Sequence, residues 1–149
     1  MIHFIVKGYA PRSYNSNSRE AYKARLQGTC SRFYRGKIPK YASEDELYGL
    51  AYYFYKGNCT IDADNISKPI WDAFRGIVYE DDRQITFRIA SIINVDNHDI
   101  SFFDFSELPG GLAADITSTL VENNVKLIYI ECGKVGEKLW NFNLEQICK

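Results

Sequence analysis

The segment from Tyr48 to Tyr55 is apolar on both of the faces that an extended chain would present. One face would carry Tyr48, Leu50, Tyr52 and Phe54, and the other Gly49, Ala51, Tyr53 and Tyr55. A strand that is apolar on both faces is typical of the centre of a sheet. The aromatic side chains could instead stack on nucleic-acid bases, but their density favours packing in a protein core. The segment therefore predicts a globular domain built around a buried central strand.

Patterns elsewhere in the chain predict further strands and helices. We expect strands at 2–8, 84–93 and 125–132, and helices at 18–33, 66–74 and 112–122, with Ser18 as an N-cap. Strands and helices follow no regular alternation, which is typical of an α+β fold with a mixed sheet and packed helices. A chain of 149 residues has the size of one domain. We expect a single domain over residues 1–149.

Two of these segments carry an apolar stripe. In the first helix, the stripe consists of Tyr22, Leu26, Cys30 and Phe33, and the cationic residues lie elsewhere on the circumference. In the strand at 84–93, the alternating apolar residues that should share one face are Ile85, Phe87, Ile89 and Ile93.

The N-terminal apolar run is too short for a signal peptide or a membrane span, because His3 interrupts it and Lys7 ends it. The cysteines, at positions 30, 59, 132 and 148, form no CxxC pair and are typical of reduced thiols in a reducing compartment. We therefore expect a cytosolic protein without a membrane partner.

Charge is distributed unevenly along the chain. Residues 1–43 contain nine basic residues and one acidic residue, a net charge of +8, whereas the remainder has a net charge of −9. A strong positive field on one segment favours a polyanion as partner. The alternative is a solvated basic face that binds nothing.

Acidic residues cluster from Asp62 onward. In an extended chain Asp62 and Asp64 would point to the same side. Two carboxylates about 4 Å apart repel by roughly 4 kcal/mol at an effective dielectric constant of 20, so such a pair favours a divalent cation or a shared proton. Oxygen ligands select Mg²⁺ or Mn²⁺. The alternative is a pair of surface or helix-capping carboxylates.

Residues just after the acidic pair predict the start of a helix. Asn65 could cap it, with Pro69 in its first turn. Lys68 could then reach a phosphate and stabilise negative charge during attack by water, with Asp72 holding it in place. The spacing of an EF-hand is absent because Ile66 and Ser67 stand where it needs an oxygen ligand and glycine. P-loop, GxSxG and HExxH motifs are absent too, which excludes the common nucleotide hydrolases, serine hydrolases and zinc proteases.

The run DADNISKPIWDAF at 62–74, continued by GIVYEDDRQI at 76–85, resembles the signature of RusA-like Holliday junction resolvases. The likeness extends over residues 1–93 and includes the aromatic strand, the opening strand and the basic helix. Residues 96–111 and the tail after Gly133 are not placed by it. Trp71 and Phe74 stand where smaller aliphatic residues are usual in the family.

This resemblance implies a metal-dependent endodeoxyribonuclease that acts as a homodimer and cuts branched DNA, the four-way junction, by paired nicks. It assigns Mg²⁺, or Mn²⁺, to Asp62, Asp64 and Asp82, with Asp81 as the alternative to Asp82, and the role of catalytic lysine to Lys68. We expect phosphate contacts from basic side chains of the first third of the chain and from one beside the acidic motif, namely Arg12, Arg19, Lys23, Arg32, Arg35 and Arg75.

Two other classes of function stay open at this point. One is a noncatalytic DNA-binding or regulatory protein that retains the fold. The other is a nuclease for another branched nucleic acid.

Overall fold

The computed structural model describes residues 1–13, 15 and 17–136. In that part the strands are β1 (Ile2–Lys7), β2 (Leu47–Tyr55), β3 (Ile85–Asn94) and β4 (Lys126–Lys134). The α-helices are α1 (Arg19–Phe33), α2 (Asp64–Phe74) and α3 (Gly110–Leu120). Every predicted strand and helix is present, with ends that differ from the prediction by two residues or fewer. Residues 137–149, which include Cys148 and most of the tail after Gly133, lie outside the described residues.

The strands form one sheet in the order β1-β4-β2-β3. Strand β4 is antiparallel to both β1 and β2, whereas β3 is parallel to β2. The sheet is therefore mixed, and the predicted α+β fold is confirmed.

Strand β2 is buried on both faces, as its composition predicted. Leu47, Ala51 and Tyr53 pack in one apolar cluster with residues of α1 and α2. Leu50 and Phe54 pack in a second cluster, on the other face, with residues of α3. The aromatic side chains of this strand belong to the core.

Gly49 in β2 lets α2 lie directly on the sheet. A Cβ atom at Gly49 would stand 2.5 Å from Cζ2 of the buried Trp71, so only glycine leaves room for the indole ring. The Tyr79 hydroxyl donates a hydrogen bond to the carbonyl oxygen of Trp71. Nε2 of Gln27, in α1, donates to the carbonyl oxygen of Ala73 at 2.6 Å. Helix α2 is thus fixed against the sheet, α1 and the turn that follows it.

Two predicted apolar faces are partly wrong. Phe33 is 42% exposed because it is the last residue of α1, beside the edge strand β1, where its ring contacts those of His3 and Tyr34. Ile85 belongs to the first cluster and Ile93 to the second, because an irregularity in the β2–β3 register reverses the alternation after Ile85.

No helix of the described part of the chain is both long enough and apolar enough to cross a bilayer.

Candidate active site

The first two acids of the motif lie on the turn that leads into α2. Ala63, between them, has helical dihedral angles (φ −57°, ψ −36°). The amide N–H of Asn65 donates to the carbonyl oxygen of Asp62 at 3.0 Å, which closes the turn. Both Asp62 and Asp64 are exposed. The predicted extended conformation at this pair is therefore wrong.

Helix α2 starts two residues earlier than its sequence pattern predicted. Asn65 is the second residue of the helix and caps nothing, and Pro69 lies beyond the first turn. The reason is the turn at Asp62, whose carbonyl already accepts a helix-like hydrogen bond. Asp64 consequently belongs to the helix, so the direction of its side chain follows the helical period of α2.

One face of α2 carries alternating charges. Asp64, Lys68 and Asp72 follow one another at intervals of four residues, and Arg75 comes three residues later, so they lie on the same side. Nζ of Lys68 lies 3.3 Å from Oδ2 of Asp72, whose side chain is 19% exposed. The predicted pairing of Lys68 with Asp72 is confirmed.

Helices α1 and α2 enclose a cleft of about 170 Å³ along this charged face. Arg19 and Lys23 of α1 line the cleft, as do Lys68 of α2 and Arg75, which follows the last residue of α2. Asp72 of α2 is the acid of the lining. Three of the residues predicted to contact phosphate, Arg19, Lys23 and Arg75, thus line the same cleft as Lys68, the predicted catalytic lysine. The cleft carries an excess of positive charge and is open to solvent, which suits an anionic ligand.

The other predicted DNA contacts lie elsewhere. Arg12 is exposed in the loop before α1, and Arg35 is exposed just after α1 with a positive φ of 53°. Arg32 is exposed on the opposite flank of α1, beside β1. The structure therefore does not bring these three arginines to the cleft.

Asp81 is engaged by its own segment. Its carboxylate caps the 3-10 helix Asp82–Gln84 and accepts hydrogen bonds from the Arg83 guanidinium, with Oδ2 2.9 Å from Nη2. The Arg83 side chain holds the pKa of this carboxyl well below its usual value.

Asp82 begins the 3-10 helix that follows the turn after α2. In that turn the Tyr79 hydroxyl donates to the carbonyl oxygen of Trp71 in α2, and burial is the main cause that raises the pKa of Tyr79. The carbonyl oxygen of Asp82 accepts a hydrogen bond from Nη2 of Arg88 at 3.0 Å. The link between the two segments runs through Tyr79, which the sequence analysis missed because nothing local to Tyr79 indicates that partner.

Carboxylate oxygens are the ligand type that Mg²⁺ and Mn²⁺ prefer, so Asp62, Asp64 and Asp82 fit such an ion by their chemistry. In the described part of the chain, no three His, Cys, Asp or Glu side chains lie close enough together to hold a metal ion. The structure therefore does not gather the three acids, although it leaves Asp62 and Asp64 exposed.

Gln27 is a second residue that the sequence analysis missed. It lies four residues after Lys23 on the flank of α1 that faces α2, and its amide ties the two helices together. The spacing from Lys23 was the available signal.

A family model described as endodeoxyribonuclease RusA matches residues 5–101. The matched range includes α1, α2, the cleft between them and all the acids of the motif, and it ends before α3. No curated protein matches the chain.

Proposed function

The chain belongs to the RusA endodeoxyribonuclease family, and from this premise we propose that it is a Mg²⁺-dependent nuclease that resolves Holliday junctions. It acts as a homodimer and cuts the four-way junction by paired phosphodiester hydrolysis, in DNA recombination and repair. The observation that carries the proposal is the cleft that Lys68 lines together with Arg19, Lys23 and Arg75, one helical turn of α2 after Asp64.

The cations of this cleft bind and orient the DNA backbone. Arg19, Lys23 and Arg75 contact phosphates through charge-assisted hydrogen bonds, which position the strand without reading its sequence. Lys68 stabilises the negative charge that grows on the nonbridging oxygens of the scissile phosphate during attack by water. Asp72 keeps the ammonium group of Lys68 on this side of α2.

The acids of the motif are the proposed metal ligands. Asp62, Asp64 and Asp82 would hold it, and when bound it supplies Lewis-acid activation of the phosphate and of the attacking water. The choice of Asp82 over Asp81 is supported by the engagement of Asp81 with Arg83 and with the cap of the 3-10 helix.

A second candidate function is noncatalytic DNA binding with the nuclease fold retained. The observation that favours it is that the described residues contain no ready-made group of three metal ligands. The cationic cleft would then serve binding alone.

One experiment separates the two. Purified protein is incubated with four-way, forked, linear and single-stranded DNA of matched sequence, with and without Mg²⁺. We expect symmetric nicks in the four-way junction that require the ion. Binding of the junction without cutting of any substrate would favour the noncatalytic function, and faster cutting of the fork would move the preference to another branched DNA.

The variant Asp64→Asn tests the assignment of the acids. We expect it to abolish cleavage while junction binding stays equal or becomes tighter, because one negative charge is removed beside the DNA. Asp96→Asn, at an exposed carboxylate in the turn after β3, is the matched control and should cleave normally. Normal cleavage by Asp64→Asn would contradict the assignment.

A further inference from the structure

A second cationic groove lies on the other side of α1 from the cleft. It runs between α1 and the edge strand β1 and has a volume of about 440 Å³. Exposed side chains of Lys7, Arg25, Arg32 and Phe33 line it. Asp115 is the acid of the lining, and its Oδ1 lies 3.4 Å from Nζ of Lys7. The groove therefore keeps an excess of positive charge.

The main chain of β1 adds a hydrogen-bond donor to this groove. In an antiparallel pair, alternate residues direct both N–H and C=O away from the partner strand. His3 does so, because its N–H donates to the Tyr34 hydroxyl at 2.9 Å and its carbonyl accepts from that hydroxyl at 3.1 Å. Ile5 is two residues further along β1. Its N–H therefore also points away from β4, toward the groove.

We propose that this groove binds a second strand of DNA backbone, separate from the strand bound in the cleft between α1 and α2. The inference rests on the proposed function and deepens it. Arg25 and Arg32 lie on one flank of the buried stripe of α1, and Lys23 lies on the other, beside the cleft. The two flanks are separated by the width of a helix, about 10 Å. One phosphate cannot bridge that distance, because charge-assisted hydrogen bonds are only about 3 Å long.

Arg25 and Arg32 are positioned by contacts that do not neutralise them. The guanidinium carbon of Arg25 lies 5.2 Å from the centroid of the Tyr9 ring. Nη2 of Arg32 donates to Oγ1 of Thr29 at 3.2 Å. Both arginines keep their charge and further donors for a phosphate, and their partial ordering lowers the entropy lost on binding.

A phosphodiester backbone fits the groove better than a peptide strand. A peptide that added to β1 as a further strand would need a row of main-chain N–H and C=O groups as partners. The Tyr34 hydroxyl already bonds the N–H and the C=O of His3, and β1 ends at Lys7. Phosphate needs donors alone, which the cations and the Ile5 N–H supply. The second strand comes either from the same duplex or from another arm of a branched DNA.

The test compares Arg25→Gln/Arg32→Gln with Lys37→Gln/Lys126→Gln, which removes two exposed charges outside both sites. Binding to a four-way junction and to a linear duplex is measured without divalent ions over a series of salt concentrations. We expect the groove variant to lose about tenfold in affinity and about 2 units of salt slope relative to the control. Lys7→Gln/Arg32→Gln, which keeps the contact of Arg25 with Tyr9, replaces the first variant if that variant fails to fold.

Loss on the junction alone would support the groove as a site for another arm. Equal loss on the junction and the duplex would support it as a site for the complementary strand. If the groove variant has the same affinities and salt slopes as the control on both DNAs, the inference is overturned. In that case, binding of an acidic peptide that the groove variant abolishes would identify the groove as a peptide site. A protein that cuts no DNA but shows the expected loss would refute the nuclease proposal and leave this inference standing.

Discussion

Asp72 is the carboxylate inside a cleft that is otherwise cationic, and it holds the Lys68 ammonium at 3.3 Å. We predict that Asp72→Asn binds a junction about twofold to fivefold more tightly, because a negative charge is removed beside the phosphates. The same variant should cleave about tenfold more slowly at saturating protein, because Lys68 loses the partner that orients it. Equilibrium binding without Mg²⁺ and single-turnover cleavage with Mg²⁺ measure the two effects.

The opposite direction of these effects distinguishes positioning from damage to the fold, which would weaken both binding and cleavage. Asp96→Asn is again the control for loss of one exposed carboxylate. An unchanged cleavage rate in Asp72→Asn would show that Lys68 needs no anchor.

Glu131 is a buried acid far from the cleft, on the face of the sheet that α3 covers, and is only 1% exposed. Its carboxyl accepts hydrogen bonds from the hydroxyls of Tyr48, at 2.8 Å, and Tyr129. Burial raises the pKa of Glu131 above its ordinary value of 4.5, against the lowering effect of both tyrosines. Its contribution to stability is therefore fully present below pH 4.5 and is lost as pH rises through the folded-state pKa.

We predict that Glu131→Gln gains stability relative to the parent as pH rises from 4.5, because the amide does not ionise but still bonds both hydroxyls. Urea unfolding at a series of pH values measures this difference. The comparison with the parent cancels the acid sensitivity due to Asp45, whose pKa is lowered chiefly by a hydrogen bond from Lys134. A difference that is constant with pH would contradict the prediction.

At the scale of elements, the contact of α2 with β2 positions the charged face of α2. We predict that Gly49→Ala costs about 1–3 kcal/mol in the free energy of unfolding, because its Cβ atom would meet the rigid Trp71 ring at 2.5 Å. Cleavage should fall as well, because α2 must move. Denaturant unfolding and cleavage assays check both results.

Gly111→Ala is the matched glycine control for this prediction. Gly111 lies at the start of α3 with no atom within 4 Å of an added Cβ. Alanine there should leave cleavage unchanged and add up to about 0.5 kcal/mol of stability. Equal stability of Gly49→Ala and the parent would show that α2 adapts without cost.

The start of α2 illustrates how far local pattern determines an element. The helix itself was predictable from the apolar spacing that Ile66, Ile70 and Phe74 share. Its first turn was not, because Asp62 and Asp64 are compatible with either an extended chain or a turn. The hydrogen bond from Asn65 to the Asp62 carbonyl accompanies the turn.

For the whole molecule, the segregation of charge predicts a strong dependence of DNA binding on salt. Residues 1–43 have a net charge of +8 in a chain whose net charge is −1. We predict that Arg19→Gln/Lys23→Gln lowers the slope of log affinity against log salt by about 2, because two phosphate contacts are lost. Fluorescence anisotropy over a range of salt concentrations measures the slope, with Lys37→Gln/Lys126→Gln as control. An unchanged slope would remove the cleft from the interface.

The sequence by itself determined the central strand, the order of strands and helices, the acidic motif and the likeness to a nuclease family, because each depends on residues close together in the chain. Only the tertiary structure decided which charges meet. Arg19 and Lys68 share a cleft while Arg32 faces a different groove, because the contact of Trp71 with Gly49 seats α2 beside one flank of α1. Such contacts join segments far apart in sequence, and no local periodicity encodes them.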